Sequence, residues 1–512
     1  MKYHRKASPY GAPKIVRVIA TMSAIGAFAG VTVVPANAQD AASFDFRTVE
    51  ELNAKARVAG ENGEQPAYRF MVTFNNMTGL DKERRMELLD NITREYSSDA
   101  SYVKEMFNGA YVVELDPPVP PEKVPSLRGT LESKAEINRA DIDRIQFSQA
   151  MPNDEFAQRQ WHLNSQAGAK VDQAWDQGAD GKDSVVAVVD TGITRHPDLD
   201  SKILPGFDMI SSPVAAGDND SRDNNPADEG DWNAPNQCFR GSPGSPSSWH
   251  GTHVAGIAAA MTNNRQGVAG VAPEAKVLPV RALGRCGGFT SDIADGIAWA
   301  AGYRIRNLPV NPNPADVINL SLGGNTPVCQ PEYQQAINYA IKAGSIVAVA
   351  AGNEDAPTEN VQPANCRGVI TVGATGPEGY RARYSNFGDE VDLGAPGGNM
   401  NPTAGGATKP EQGILSTVNS GERRPERPAY SYMEGTSMAT PVVAGVIALM
   451  RGINPELSSE EARRILRETA APFAAEPGDS RKTNGMGAGN LDANAAVCAT
   501  LKTVGKECRD AD

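Results

Sequence analysis

From about residue 151 onward, apolar strand-like runs alternate with helix-like segments, and this alternation is the feature that most restricts the possible folds. The strand-like runs span 184–190, 276–283, 315–323, 345–353, 369–375 and 391–397. The helix-like segments span roughly 250–261, 291–306, 331–343 and 436–451. Strands that are apolar at nearly every position and separated by helices are typical of a parallel sheet covered on both faces. The sequence therefore predicts an α/β domain.

A smaller region with a different pattern precedes this domain. Residues 68–74 alternate like a β-strand, and residues 82–96 have the period of an amphipathic helix. Residues 102–115 form two strand-like runs around Asn108-Gly109, a pair that favours a hairpin turn. The pattern predicts a small α+β unit over about 68–150.

The first 38 residues predict a secretory signal peptide. Basic residues precede an uncharged run from Val18 to Val34, and the small-x-small sequence Ala36–Ala38 follows it. The alternative is an N-terminal membrane anchor, but the run is short for a membrane span and no second apolar span follows. Residues 39–66 are polar and irregular, as in a linker. We therefore expect an exported protein.

The cysteine content also fits an exported protein. An even number of cysteines in such a chain predicts disulfides, and the spacings do not resemble a zinc site. Six cysteines allow fifteen pairings, among which we favour nearest neighbours along the chain. These pairs are Cys238–Cys286, Cys329–Cys366 and Cys498–Cys508.

The formal net charge of the chain is −13. Such an acidic balance argues against nucleic acid and anionic membranes as partners, because both repel negative charge. It is compatible with bound cations.

Three segments place reactive side chains where a parallel sheet would expose them. Asp190 ends an apolar strand, His250 begins an Ala-rich helix, and Ser437 begins another apolar helix. Each of the three also has another interpretation. Asp190 and Ser437 are residue types that cap turns or helices, and His250 with His253 has the spacing of a pair of metal ligands. Together they are the three residue types of a nucleophile, its base and the group that orients the base.

A fourth residue extends this set. Asn353 follows a strand and a glycine, and its amide is suited to donate to an oxyanion beside the backbone N–H of Ser437. The order Asp, His, Ser along the chain excludes the order of the α/β-hydrolases.

These segments resemble the motifs of one family. "VVAVVDTGITRHPDL", "HGTHVAG", "INLSLGG", "VAAGN" and "GTSMATPVVAG" are similar to those of the subtilisin-like serine proteases, or subtilases, over about 151–497. The middle of the chain most resembles the secreted, calcium-binding subtilases of Gram-negative bacteria. The resemblance implies a mostly parallel seven-stranded sheet with helices on both faces, in a peptidase domain over 151–512. Residues 68–150 more loosely resemble the inhibitory propeptide, so 39–150 are expected to be a propeptide that inhibits the enzyme, assists its folding and is removed by autoprocessing.

The resemblance also implies roles for individual residues. Ser437 would be the nucleophile, His250 the base and then the acid, Asp190 its orienting partner and Asn353 an oxyanion donor. The extended substrate groove would lie between "SLGG" and "GRCGGF", with a pocket whose floor is near Val361. The implied substrate-contacting residues are Ser321, Leu322, Gly323, Gly324, Gly287, Gly288, Ala351, Gly352 and Val361. Such a groove favours polypeptide substrates. We expect the enzyme to be a monomer.

Calcium is the cofactor that the resemblance implies. Three regions of the chain contain hard oxygen donors, which suit calcium. The implied ligands are Asp154, Asp198 and Asn264 through side chains, and Thr262, Gln266 and Val268 through backbone carbonyls. An ordinary surface turn is the alternative for 262–268.

A second acidic segment is inserted between Asp190 and His250. It contains Asp218, Asp220, Asp223, Asp228 and Asp231 and lacks the order of an EF-hand. We expect it to bind a second calcium ion, the alternative being a solvated acidic loop.

Two other function classes are possible for such a chain. A non-catalytic descendant acting as a binding module is expected to have lost one of the four catalytic candidates, and all four are present. A serine esterase would share the catalytic residues but not need an extended peptide groove.

Overall fold

The computed structural model describes residues 67–75, 79–143, 152–164, 167–400, 409–474 and 484–509. The predicted signal peptide at 1–38, the linker at 39–66 and the predicted domain boundary at 150–151 lie outside the described residues. The chain divides into two compact units, Met1–Ile145 and Gln146–Asp512, close to the predicted boundary.

The described part of the first unit is an α+β fold. Its strands are β1 (Ala67–Phe74), β2 (Asp99–Glu105), β3 (Tyr111–Val119) and β4 (Ile137–Ile142). Its helices are α1 (Lys82–Arg94) and α2 (Val124–Glu132). The strands form an antiparallel sheet in the order β2-β3-β1-β4. The sequence pattern did not reveal β4, which pairs with β1 at the edge of this sheet.

One apolar face of this sheet packs on both helices. Phe70 and Val72 of β1 are buried with Leu89 of α1 and Leu127 of α2. Asp81 begins α1, since its side chain accepts a hydrogen bond from the backbone N–H of Arg84 at 2.9 Å. The unit therefore has a hydrophobic core of its own.

The second unit is built on a seven-stranded sheet, as predicted. The strands of this unit are β5 (Val185–Asp190), β6 (Phe207–Asp208), β7 (Lys276–Arg281), β8 (Val317–Leu320), β9 (Gly324–Asn325), β10 (Ile346–Ala350), β11 (Val361–Gln362), β12 (Ile370–Thr375), β13 (Leu393–Pro396), β14 (Ile414–Asn419) and β15 (Pro428–Met433). The large sheet has the order β13-β12-β10-β8-β5-β7-β6, and its strand pairs are parallel. Two small antiparallel pairs, β9 with β11 and β14 with β15, lie outside it.

Helices cover both faces of the large sheet. They are α3 (Trp161–Asn164), α4 (Val171–Asp176), α5 (Pro213–Ala216), α6 (His250–Ala259), α7 (Thr290–Ala300), α8 (Pro331–Lys342), α9 (Thr436–Ile453), α10 (Ser459–Glu468) and α11 (Ala493–Thr503). Val186 and Val188 of β5 lie in a core that contains α6 and α9. Ala187 and Val189 lie in a second core that contains α7 and α8. Alternate residues of β5 thus face opposite helix layers, which explains why the strand is apolar throughout.

Helix α9 is long and apolar enough to cross a membrane, but it is largely buried within the described part of the protein. It packs against the sheet as a core helix, and its first residues reach the carboxyl edge of the parallel strands.

The cysteines form three disulfides, Cys238–Cys286, Cys329–Cys366 and Cys498–Cys508. These are the nearest-neighbour pairs that the sequence analysis favoured. The first of them ties the inserted acidic segment to the residues between β7 and α7.

Candidate active site

Asp190 and His250 are joined at the carboxyl edge of the sheet. Asp190 is the last residue of β5 and is fully buried, while His250 is the first residue of α6. The imidazole Nδ1 of His250 lies 2.8 Å from Oδ1 and 3.0 Å from Oδ2 of Asp190. Because Nδ1 donates to the carboxylate, it carries the ring hydrogen, and Nε2 is free to accept a proton.

The charge of Asp190 also affects the acidity of His250. Burial alone would lower the pKa of the imidazole, since it disfavours the cation. The negative charge and the hydrogen bond of Asp190, together with the charges of Asp231 and Asp228, outweigh burial, and the pKa of His250 is raised above its ordinary value. The pair is therefore suited to hold a proton transiently near neutral pH.

Ser437 is the second residue of α9, where backbone N–H groups lack partners within the helix. Its hydroxyl donates to the backbone carbonyl of Ser321 at 3.3 Å, and the Ser321 hydroxyl donates to the carbonyl of Ser437 at 2.8 Å. Among the described residues no hydrogen bond joins Ser437 to His250. Hydrogen bonds between catalytic side chains are often long in a free enzyme and shorten when substrate binds.

Asn353 lies in the loop after β10, beside the start of α9. Its Oδ1 accepts hydrogen bonds from the backbone N–H and the hydroxyl of Thr436, at 2.8 and 3.0 Å. Because the oxygen is used in this way, the amide Nδ2 is left as a donor on the exposed side of the residue. Asn353 and Ser437 line the same pocket.

This first pocket has a volume of about 290 Å³. It contains five of the predicted substrate-contacting residues, namely Leu322, Gly323, Gly324, Gly352 and Val361. Ala351, which was also predicted, is completely buried and is not part of the lining.

Glu354 also lines this pocket, and the sequence analysis missed it. One of its carboxylate oxygens accepts from the backbone N–H of Asn353 at 2.9 Å and from Nδ2 of Asn386 at 2.8 Å. Its position directly after Asn353 in the sequence was the signal that could have identified it.

A second, adjoining groove of about 610 Å³ contains His250. Gly287 and Gly288 line it together with Ser321 and the 322–324 segment, so the two predicted edges bound one groove. Cys286, Asp231 of the inserted segment and Ser248, which precedes α6, line it as well. The groove is suited to an extended chain passing His250.

The predicted first calcium site brings three side chains together. Asp154 and Asp198 are buried and have no cationic ion-pair partner among the described residues. Asp154 accepts from the backbone N–H groups of Asn263 and Asn264, at 2.9 and 3.3 Å, while Asp198 accepts from Nδ2 of Asn264 at 2.7 Å. Burial chiefly raises the pKa of Asp154, and the negative charge of Asp198 adds to it. Two buried carboxylates without a cation fit a calcium ion chemically.

The remaining predicted ligands of this site belong to the same loop. Val268 donates its backbone N–H to Asp198 at 3.0 Å, and Gln266 donates its N–H to Asn264 at 2.8 Å. The hydroxyl of Thr262 donates to the carbonyl of Ala260 at 3.2 Å. Asn264 and Val268 of this loop thus both bind the carboxylate of Asp198.

The five aspartates of the inserted segment do not share one site. Asp218 forms an ion pair with Arg281 at 3.1 Å, and Asp220 is exposed beside Asp218. Asp223 pairs through its backbone with Asp208. Asp228 and Asp231 instead lie near the catalytic candidates. A second calcium ion in this segment stays a prediction: the carboxylates of Asp228 and Asp231 are hydrogen-bonded to Thr191 and Ser248, while that of Asp218 pairs with Arg281.

Asp228 lies directly behind Asp190. Its carboxylate accepts from the hydroxyl of Thr191 at 2.7 Å, and that hydroxyl accepts from the backbone N–H of Gly251 at 2.9 Å. Thr191 also donates its backbone N–H to Asp190 at 2.7 Å. Burial raises the pKa of Asp228 to about 7.

Comparison with known proteins agrees with this geometry. Residues 181–492, which contain Asp190, His250, Asn353 and Ser437, match the Subtilase family (Peptidase_S8). An extracellular protease of Xanthomonas campestris is 44% identical over 401 residues, a match that covers 78% of this chain and 66% of that protein. An extracellular basic protease of Dichelobacter nodosus is 39% identical over 464 residues, covering 88% and 73% respectively. A solved protease structure from Pseudoalteromonas arctica is 48% identical with a TM-score of 0.65, covering 69% of this chain and 100% of its own.

Proposed function

Because the chain belongs to the subtilase family of serine endopeptidases, we propose that it is a secreted endopeptidase that hydrolyses proteins through an acyl-enzyme. The observation that carries this proposal is the hydrogen bond between Asp190 and His250, in a groove that shares residues 322–324 with the pocket lined by Ser437. Extracellular relatives and the disulfides support secretion.

In the proposed reaction, Nε2 of His250 takes the proton of the Ser437 hydroxyl as its oxygen attacks the scissile carbonyl. The oxyanion receives hydrogen bonds from the backbone N–H of Ser437 and from Nδ2 of Asn353. His250 then gives its proton to the leaving amine, and the amine departs. Water deacylates the serine by the same steps, with His250 again acting first as base and then as acid.

A polypeptide is the substrate class that the groove favours. The segments around 284–288 and 321–324 line opposite sides of one groove, where an extended chain can form backbone hydrogen bonds. A short ester needs no such edges. The adjoining pocket suits the side chain that precedes the scissile bond.

The function is tested with the purified mature enzyme on casein and on a short-chain ester. Casein cleavage that is abolished in Ser437→Ala, with weaker ester hydrolysis, is expected. Efficient ester hydrolysis without casein cleavage would favour the esterase. A wild-type protein that cleaves neither substrate would favour the non-catalytic binding module.

Calcium is proposed as a stabilising ion rather than a reactant. Asp154, Asp198 and Asn264 would hold it, with carbonyls of Thr262, Gln266 and Val268, and its charge would balance the two buried carboxylates. Of the acidic segment, only Asp218, Asp220 and Asp223 are retained as candidates for a second ion.

The first unit is proposed to be the propeptide of a monomeric enzyme. Its separate core supports a role as a folding aid and inhibitor, and its position before the peptidase unit supports removal by the enzyme itself.

A further inference from the structure

Asp231 lies in the inserted segment, close to the start of the helix that bears His250. Its carboxylate accepts hydrogen bonds from the backbone N–H and the hydroxyl of Ser248, at 2.6 and 2.7 Å. The oxygen of Ser248 in turn accepts from the backbone N–H of His250 at 3.3 Å. Hydrogen bonds therefore connect the Asp231 carboxylate to the backbone of His250 through one intervening side chain.

The backbone between Ser248 and His250 has an unfavourable conformation. Trp249 has φ 54°, in the left-handed region that a bulky residue rarely adopts. Such a conformation persists only where the surrounding structure fixes it. The indole of Trp249 donates to the carbonyl of Gly421 at 2.7 Å. The preceding residue, Ser248, donates its backbone N–H to Asp231. The two contacts hold the turn that directs the imidazole of His250.

The charge of Asp231 acts in the same direction as that of Asp190. The titratable or charged groups that face His250 or its neighbouring carboxylates are Asp190, Asp228, Asp231, His253 and Arg281. Burial lowers the pKa of His250, and Asp190 is the strongest influence that raises it, followed by Asp231 and Asp228. A second carboxylate therefore favours the imidazolium that forms during the reaction.

We propose that Asp231 is a positioning residue for His250. Through Ser248 it fixes the start of α6, and its charge stabilises the protonated imidazole. This inference rests on the proposed peptidase function. Both oxygens of Asp231 bind Ser248, which separates this residue from Asp218, Asp220 and Asp223.

The kinetic test compares four variants with the mature wild-type enzyme. Asp231→Asn removes the charge and is expected to lower kcat roughly tenfold with little change in KM, since misplaced catalytic groups reduce turnover. The acid limb of its pH profile is expected to move to lower pH, because loss of a negative charge lowers the pKa of His250. Ser248→Ala should lower kcat but leave the acid limb at its wild-type pH. Asp231→Glu keeps the negative charge, so its acid limb should also lie at the wild-type pH. Glu229→Gln, an equal charge change two residues away, is the matched control and should leave both unchanged.

A spectroscopic test does not depend on activity. In the Ser437→Ala protein labelled with ¹⁵N-histidine, the low-field proton of His250 is assigned by comparison with a His250→Ala variant and titrated. We expect Asp231→Asn to lower the pKa of His250 relative to the Glu229→Gln control. An unchanged pKa together with an unchanged pH profile would overturn the inference, even if stability fell. If the wild type lacked Ser437-dependent proteolysis, the proposed function would fail while this titration still decided the role of Asp231.

Discussion

The side-chain oxygen of Asn353 binds the backbone N–H of Thr436 at 2.8 Å, immediately before Ser437. One side chain thus caps the helix that carries the nucleophile and keeps an N–H donor beside it. We expect Asn353→Ala to lower kcat by about 10²–10³, the effect of removing an oxyanion donor in a relative, with little change in KM. Steady-state kinetics on a peptide substrate measure this.

The capping and donor roles of Asn353 can be separated. Asn353→Asp keeps an oxygen for Thr436 but has no N–H to donate, so it should lose activity at least as severely as the alanine variant. Thr436→Val, which removes one of the two contacts and leaves the amide in place, is the control. A large rise in KM with normal kcat would mean that Asn353 binds substrate instead.

Ser437→Ala should leave the precursor uncut. The two compact units divide after Ile145, and the expected end of the propeptide is residue 150. If the enzyme processes itself, removing the nucleophile prevents the cleavage. Mass and N-terminal sequence of the purified secreted protein measure the outcome, and cleavage of the variant in a protease-free preparation would contradict autoprocessing.

Removal of calcium should lower the melting temperature of the mature protein. Asp154, Asp198 and Asn264 are far apart in sequence, so an ion among them joins separate segments. A ligand that binds only the folded state stabilises it by about 2.7 kcal/mol at a hundredfold excess over Kd. Thermal unfolding of the mature enzyme, inactivated at Ser437 after processing, with chelator and with millimolar calcium or magnesium, measures the effect. Calcium should stabilise more than magnesium, which resists irregular cages.

Asp198→Ala should remove much of this calcium response. Asp200→Asn is the control, because Asp200 pairs with Arg195 at the surface, where ion pairs contribute little. Equal melting temperatures with chelator and with calcium, in the parent protein, would contradict the proposed site.

Acid should destabilise the protein through His162. Its imidazole is completely buried, neither ring nitrogen has a hydrogen-bond partner in the described part of the chain, and burial lowers its pKa to about 3. The unfolded chain, with an ordinary pKa near 6.5, binds a proton between these values and the folded chain does not. Stability should therefore fall as pH decreases through this range, by up to about 1.4 kcal/mol per pH unit for one such group.

His162→Leu tests this account, since it removes both unpartnered nitrogens. Denaturant unfolding of the Ser437→Ala background at several pH values should give a shallower loss of stability below pH 6.5 than the parent shows. An identical pH dependence would exclude His162 as a cause. His253, whose pKa burial also lowers to about 3, is expected to maintain part of the slope.

Primary specificity should favour medium-sized apolar side chains before the scissile bond. The pocket is closed near Val361, and Glu354, its acidic residue, is already hydrogen-bonded to Asn353 and Asn386. Val361→Phe should shift preference toward smaller side chains. Cleavage of a peptide library measures both, and dominance of Arg or Lys that disappears in Glu354→Gln would show that this reading of the pocket is wrong.

The large sheet was predictable because its strands are buried on both faces. The apolar runs predicted six of its strands, but β6 contributes only Phe207 and Asp208 and is too short to give a pattern. The edge strand β4 of the first unit was missed for a related reason, since half of its residues are polar and exposed or partly so. Apolar periodicity reveals buried elements and says little about edges.

Asp190, His250 and Ser437 were visible in sequence because each lies at the end or the start of an element that the apolar pattern marks. The functions of Asp228 and Asp231 were not visible, since both belong to an acidic run that resembles one ion site. What distinguishes them is the partner that each finds, Thr191 or Ser248, at a distance in the chain that no local pattern specifies.

The three disulfides share one consequence for a chain that is cut between its two units. All six cysteines lie between 238 and 508, so every cross-link is internal to the peptidase unit. No disulfide joins the first unit to the second, so one cut of the main chain between them would leave no covalent link even under oxidising conditions. The persistence of the first unit would then depend on binding strength and on its susceptibility to digestion. A non-reducing gel would resolve the cleaved products as fully as a reducing one.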